Sequence, residues 1–145
     1  MSQSPMSPGT YLRKRREAAG LSAQAVAGFL VGRHAHAFAP PPAIGTLEWG
    51  IAACERDERP FGADLVARLH GCFPFDLGIY QQLLLLHAGA HCPEPRVCRE
   101  CACSWNDACR SRSGRGSCAL SVTDPTICTA CEARAARAAA EGEKP

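Results

Sequence analysis

Seven of the ten cysteines in this 145-residue chain fall between Cys98 and Cys131. A two-residue spacer lets both sulfurs of a C-x-x-C pair turn toward one metal ion, and two pairs together supply the four thiolates that zinc favours. Cys98 with Cys101, and Cys128 with Cys131, are such pairs. Four thiolates leave no open coordination position, so the expected site is structural rather than catalytic. Cys103, Cys109 and Cys118 exceed the needs of one zinc. Three readings of them stand side by side: spare buried thiols, a second zinc recruiting Cys92 or His91, or an iron–sulfur cluster held by four of the seven. The run lacks the regular ferredoxin spacing, which favours zinc over iron–sulfur.

Metal rather than disulfide follows from the compartment the chain predicts, since disulfides persist only under oxidising conditions. The opening MSQSPMSPGT lacks the apolar core of a signal peptide, and the run from Ile79 to Leu86 is short and broken by two glutamines. A cytoplasmic protein with reduced thiols and no membrane contact is the expectation. The cysteine half also needs metal for want of other core, because Leu120, Val122 and Ile127 are its only larger aliphatic residues between Cys98 and Cys131. Trp105 is expected to pack over the cysteines. His34 and His36, in a proline-rich loop, and His70 and His87, in helices, are read as ordinary surface or structural residues. Cys54 and Cys72 are read as small hydrophobes at apolar helical positions. No phosphate-cradling loop, serine elbow or isolated carboxylate pair is present, so no catalysis is expected.

The formal net charge is +2, and its distribution says more than its sum. From Thr10 to Arg33, five cations (Arg13, Lys14, Arg15, Arg16 and Arg33) face Glu17 alone; from Arg96 to Cys118, five arginines face Glu100 and Asp107. Two basic patches fit an anionic partner such as DNA. Arg110, Arg112 and Arg115 form a second, solvated set of candidate phosphate contacts.

Hydrophobic spacing predicts five helices before the cysteines. Thr10 is the expected cap of the first, which runs to about Ala19 with Leu12 and Ala19 inward, and Gly20 ends it. Ser22 caps a second helix with Val26, Phe29 and Leu30 as its buried stripe. The segment from Val31 to Pro42 is expected to be a loop, on account of Gly32 and Pro40 to Pro42. A third helix follows from about Ala43–Gly45 to Arg56, with Ile44, Leu47, Ile51 and Cys54 inward. A fourth runs from Gly62 to Gly71, and a fifth, capped by Asp76, carries Leu77, Tyr80, Leu83 and Leu84. The expected organisation is a disordered 1–9, a helical domain over 10–88, a linker over 89–96, a cysteine-rich metal module over 97–132 and a fraying helical tail over 133–145.

The runs YLRKRREAAGLSAQAVAGFL and IAACERDERP resemble the opening, and the end of the third helix, of the repressor-like helix-turn-helix domains of the XRE family. The resemblance covers about residues 10–87. It implies a sequence-specific regulator of phage or mobile-element origin that binds double-stranded DNA, with a homodimer as a possible assembly. Carried over by position, it makes Arg13, Lys14 and Arg16 phosphate-contacting cations, places Ser22 and Gln24 at the start of the second helix, and matches Ile51 and Glu55 to the apolar and acidic pair of the third. Gln24, Glu48 and Trp49 are the candidate base-reading residues. The chain departs from the family by an insertion of more than ten residues between the second and third helices. The cysteine segment resembles a C-terminal module of small phage and prophage proteins, through C-x-x-C-x-C, Asp107–Ala108–Cys109 and Asp124 leading to Cys128 and Cys131; no activity comes with that likeness. The fold class expected is an all-α helix-turn-helix domain joined to a loop-rich, zinc-ribbon-like module that serves folding, dimerisation or contact with a protein partner. A redox-sensing iron–sulfur regulator and an adaptor without nucleic-acid binding are the rival functions.

Overall fold

The computed structural model describes residues 4–34, 42–109 and 117–143. Its regular structure is helical, and the chain divides into two compact units, 1–94 and 95–145. The division falls inside the segment expected to be a linker.

The first unit holds α1 (Pro8–Ala18), α2 (Ala23–His34), α3 (Ile44–Glu55), α4 (Ala63–His70) and α5 (Leu77–His87). Helix α1 starts two residues before the expected cap. Pro8 opens it, with φ already helical and no N–H to satisfy, and the Ser7 hydroxyl accepts from the Thr10 N–H. Asp57 pins this start, its carboxylate accepting from the Ser7 hydroxyl and from the Gly9 N–H at 2.9 Å. Residues 7–9 therefore belong to the folded unit. The inner face of α1 is Tyr11, Leu12, Arg15 and Arg16, while Ala19 is exposed.

Helix α3 packs against both α1 and α2, α1 also meets α5, and α2 meets α4. Their shared core includes Leu12, Val26, Leu30, Ile51, Leu69 and Leu83, all almost fully buried; each such side chain contributes about 2 kcal/mol of transfer free energy. Tyr11 ties α1 to the entry of α5, its hydroxyl accepting from the Asp76 N–H at 2.9 Å, and Arg15 donates to the Pro74 carbonyl at 3.2 Å. Three expectations need correction. Helix α2 continues through Gly32 to His34, since one glycine costs a helix only about 1 kcal/mol and the prolines begin later. Phe29 stays 40 % exposed under the Arg33 guanidinium, and Ile44 stays 43 % exposed, because the start of α3 extends beyond the buried layer. Residues 35–41, including His36 and most of the expected loop, lie outside the described residues.

The second unit contains α6 (Thr129–Gly142) and the loops before it. The run from Ala119 to Thr129 doubles back through Ser121 N–H to Ile127 O and Thr129 N–H to Ala119 O, both 2.8 Å. Leu120 and Cys128 form an isolated antiparallel bridge. The tail is not separate from the module: α6 begins between Cys128 and Cys131, and the Cys128 sulfur accepts from the Cys131 N–H as its N-cap. No helix among the described residues is long and apolar enough to cross a membrane.

Candidate metal centre

The core of the second unit is made of sulfur. Cys98, Cys101, Cys103, Cys128 and Cys131 are buried together, with Cys109, Cys118, Ile127 and Ala130 packed against them. All ten cysteines are free thiols; the Cys101–Cys109, Cys103–Cys118 and Cys101–Cys128 sulfurs stand 3.5, 3.6 and 3.8 Å apart, far beyond the ~2.05 Å of a disulfide.

Two local structures aim these sulfurs. The first is a knuckle over 98–103, closed by Ala102 N–H to Cys98 O at 2.8 Å and Cys98 N–H to Cys103 O at 2.9 Å. It requires Ala102 to adopt φ +58°, a left-handed conformation uncommon outside glycine. The second is the start of α6, where the helix N-terminus faces the sulfur of Cys128, its N-cap, and favours the thiolate form there. The acidic residues of the cysteine motif shape the connections: Asp107 accepts from the Ser104 N–H at 2.6 Å and from its hydroxyl, and Asp124 accepts from the Thr126 N–H at 3.0 Å. The tight Ser104–Asp107 turn throws Trp105 outward. It is 94 % exposed rather than packed over the cysteines.

The sulfurs of Cys98, Cys101, Cys128 and Cys131 all lie within 4.8 Å of one another, and so do those of Cys101, Cys103, Cys109 and Cys128. Either group could hold a metal ion. Polar hydrogens converge on the cluster's sulfurs, from Cys128 N–H to Cys98 at 3.3 Å, Cys109 N–H to Cys118 at 3.0 Å and the Arg134 guanidinium to Cys131 at 2.9 Å. Hydrogen bonds from the Cys101 and Cys103 thiols hold Cys98 far below the ordinary thiol range. Other thiols of the cluster shift the other way: bonding to Cys101 and Cys98 pushes Cys103 strongly upward, and burial lifts Cys118 to about 11 and Cys131 to about 12. A crowd of thiols that cannot all ionise unaided is an arrangement that a cation relieves, because the ion offsets the repulsion among thiolates.

No protein-family model, curated protein or solved structure matches the chain.

Neither four-cysteine group includes Cys92 or His91. Cys92 belongs to the first unit, where its thiol faces the Gln82 carbonyl at 3.9 Å. Cys54 is buried against the Pro60 carbonyl, and Cys72 is half-buried in the turn after α4; burial pushes both thiols upward, in keeping with inert packing.

The residues assigned to DNA separate into two sets. Arg16 is not a surface cation: its guanidinium grips the buried Glu55 carboxylate with two bonds of 2.7 and 2.8 Å and donates to the Leu21 carbonyl at 2.7 Å. Arg13 is exposed, with Glu17 one turn away at 4.0 Å, and Lys14 is half-buried. The Ser22 hydroxyl accepts from the Ala25 N–H at 3.0 Å and so caps α2, and Gln24 is exposed beside it. Glu48 is half-buried, and Trp49 is 61 % exposed with the Arg59 guanidinium 5.1 Å above its ring. Arg110, Arg112 and Arg115 lie outside the described residues. Sequence reasoning missed Arg134, although its position one helical turn after Cys131 was a usable signal, and it missed Asp57, which nothing local distinguishes from other surface acids.

Proposed function

We propose that the chain is a regulator that binds double-stranded DNA sequence-specifically through its five-helix unit and holds its cysteine unit together with structural zinc. The observation that carries the zinc assignment is the convergence of four buried sulfurs, from Cys98, Cys101, Cys128 and Cys131, within 4.8 Å. Four ligands that close are suited to one shared ion, whereas a four-iron cluster seats each cysteine on its own iron and spreads them apart. Bound zinc would cross-link the knuckle to α6, in a unit with almost no aliphatic core.

DNA binding draws support from the first unit. The Arg16–Glu55 pair joins the two segments that carry the repressor-like resemblance, and Arg13, Gln24 and Trp49 remain exposed. Phosphate contacts would supply most of the affinity. Fluorescence anisotropy with duplex DNA at stepped salt concentrations tests this: affinity falls steeply with salt, and Arg13→Ala, by releasing one phosphate, makes the salt slope shallower by about one. No salt-dependent binding would overturn the DNA reading.

That result would leave the adaptor reading, favoured by one observation of its own: Trp105 and Val122 stand almost fully exposed on the cysteine unit, as residues that meet a protein partner do. Iron with sulfide and a brown chromophore in anaerobically purified protein would instead make this half a redox sensor.

A further inference from the structure

One zinc leaves three cysteines without a purpose, yet Cys103, Cys109 and Cys118 pack into the same sulfur core as the rest. The two four-sulfur groups share Cys101 and Cys128, so they are faces of a single centre rather than separate sites. Cys118 joins it through Cys103, whose sulfur is 3.6 Å away, and through the Cys109 N–H. Two four-coordinate ions have eight ligand positions, and seven sulfurs fill all eight when one sulfur serves both ions.

We propose that the seven cysteines hold two zinc ions in one binuclear thiolate centre, bridged by Cys101. Cys98, Cys128 and Cys131 complete one ion; Cys103, Cys109 and Cys118 complete the other. Cys101 and Cys128 are common to both groups, and Cys118, which lies outside both, takes the place of Cys128 at the second ion; Cys101 is then the bridge, its sulfur lying 3.8 Å from Cys128 on one side and 3.5 Å from Cys109 on the other, each close to the ~3.8 Å edge of a tetrahedron with Zn–S bonds of ~2.3 Å. Seven thiolates and two zinc ions carry a net charge of −3, and the Arg134 guanidinium, donating to the Cys131 sulfur, and the backbone N–H groups of Cys128, Cys109 and Cys131, donating to the sulfurs of Cys98, Cys118 and Cys128, disperse it. Seven thiols lose their protons to solvent as the centre fills.

This rests on the zinc reading above, and native mass spectrometry of the full-length chain, purified anaerobically, separates the two. Two zinc ions per chain are expected. One zinc overturns the binuclear centre and leaves the structural site standing; no zinc overturns both. Cys118→Ser, at the rim of the centre, should retain one zinc, and retention of two overturns the assignment of Cys118. Cadmium-113 NMR of the exchanged full-length protein tests the bridge without any mutation. Two resonances split by mutual coupling through a shared sulfur are expected, and two unsplit resonances overturn the bridging role of Cys101.

Discussion

Gly9 sits where α1 touches the end of α3: a Cβ there would stand 2.4 Å from the Cys54 carbonyl oxygen and 2.8 Å from that of Glu55. Both obstacles are backbone, so Gly9→Ala must push the helices apart, and urea denaturation should report a loss of about 1–3 kcal/mol. Gly50→Ala is the control, because its Cβ meets only the end of the Arg59 side chain at 2.7 Å, which can swing aside; its stability should stay within about 0.5 kcal/mol of the parent. Arg16→Ala strands the buried Glu55 carboxylate and should cost about 3–5 kcal/mol in the same assay. Lysine there keeps the charge but loses the fork that makes two parallel bonds, so Arg16→Lys should recover only part of the loss. DNA affinity measured on a folded Arg16→Lys protein should change little, since that side chain faces Glu55 and Leu21 rather than a ligand.

At the level of elements, α6 has little apolar surface of its own, and Cys131 is its one buried residue. Alanine-rich composition favours the helix, but an isolated helix of this length is marginal in water. Its anchor is the Cys128 cap and the sulfur core at its first turn, so stripping metal from the full chain with a strong chelator should lower the far-ultraviolet helical signal of 129–142, and returning zinc should restore it. The Arg134→Ala change removes the guanidinium from Cys131 without touching a cysteine. Chelator competition should then show zinc held up to about tenfold less tightly, while helix content in excess zinc stays at the parent value. An unchanged zinc affinity would show that the arginine only rests on the sulfur.

The molecule as a whole pairs two units whose cores differ in kind, one aliphatic and aromatic, the other sulfur. Hydrogen exchange after chelation should therefore show protection lost over 95–109 and 117–143 and kept by the core helices of 1–94. Much of this plan is legible in the residues. Helix positions follow from apolar spacing and from caps such as Ser22 and Asp76, which are local signals, and the C-x-x-C pairs announce shared coordination because two ligands a fixed distance apart in sequence stay close in any fold. The residues between Arg13 and Arg16 were not separable in that way. They are four cations in a row, and only the docking of α1 on α3 decides that Arg16, not Arg13, meets a carboxylate 39 residues away. The same holds for Cys101: nothing in its own spacing marks it as shared, and its place between Cys109 and Cys128 exists only once the knuckle and the start of α6 are brought together. The linear sequence thus determined which chemistry the chain carries, through residue type and short-range spacing, and tertiary structure alone decided which members of each set meet, because those meetings depend on long-range packing that no local pattern encodes.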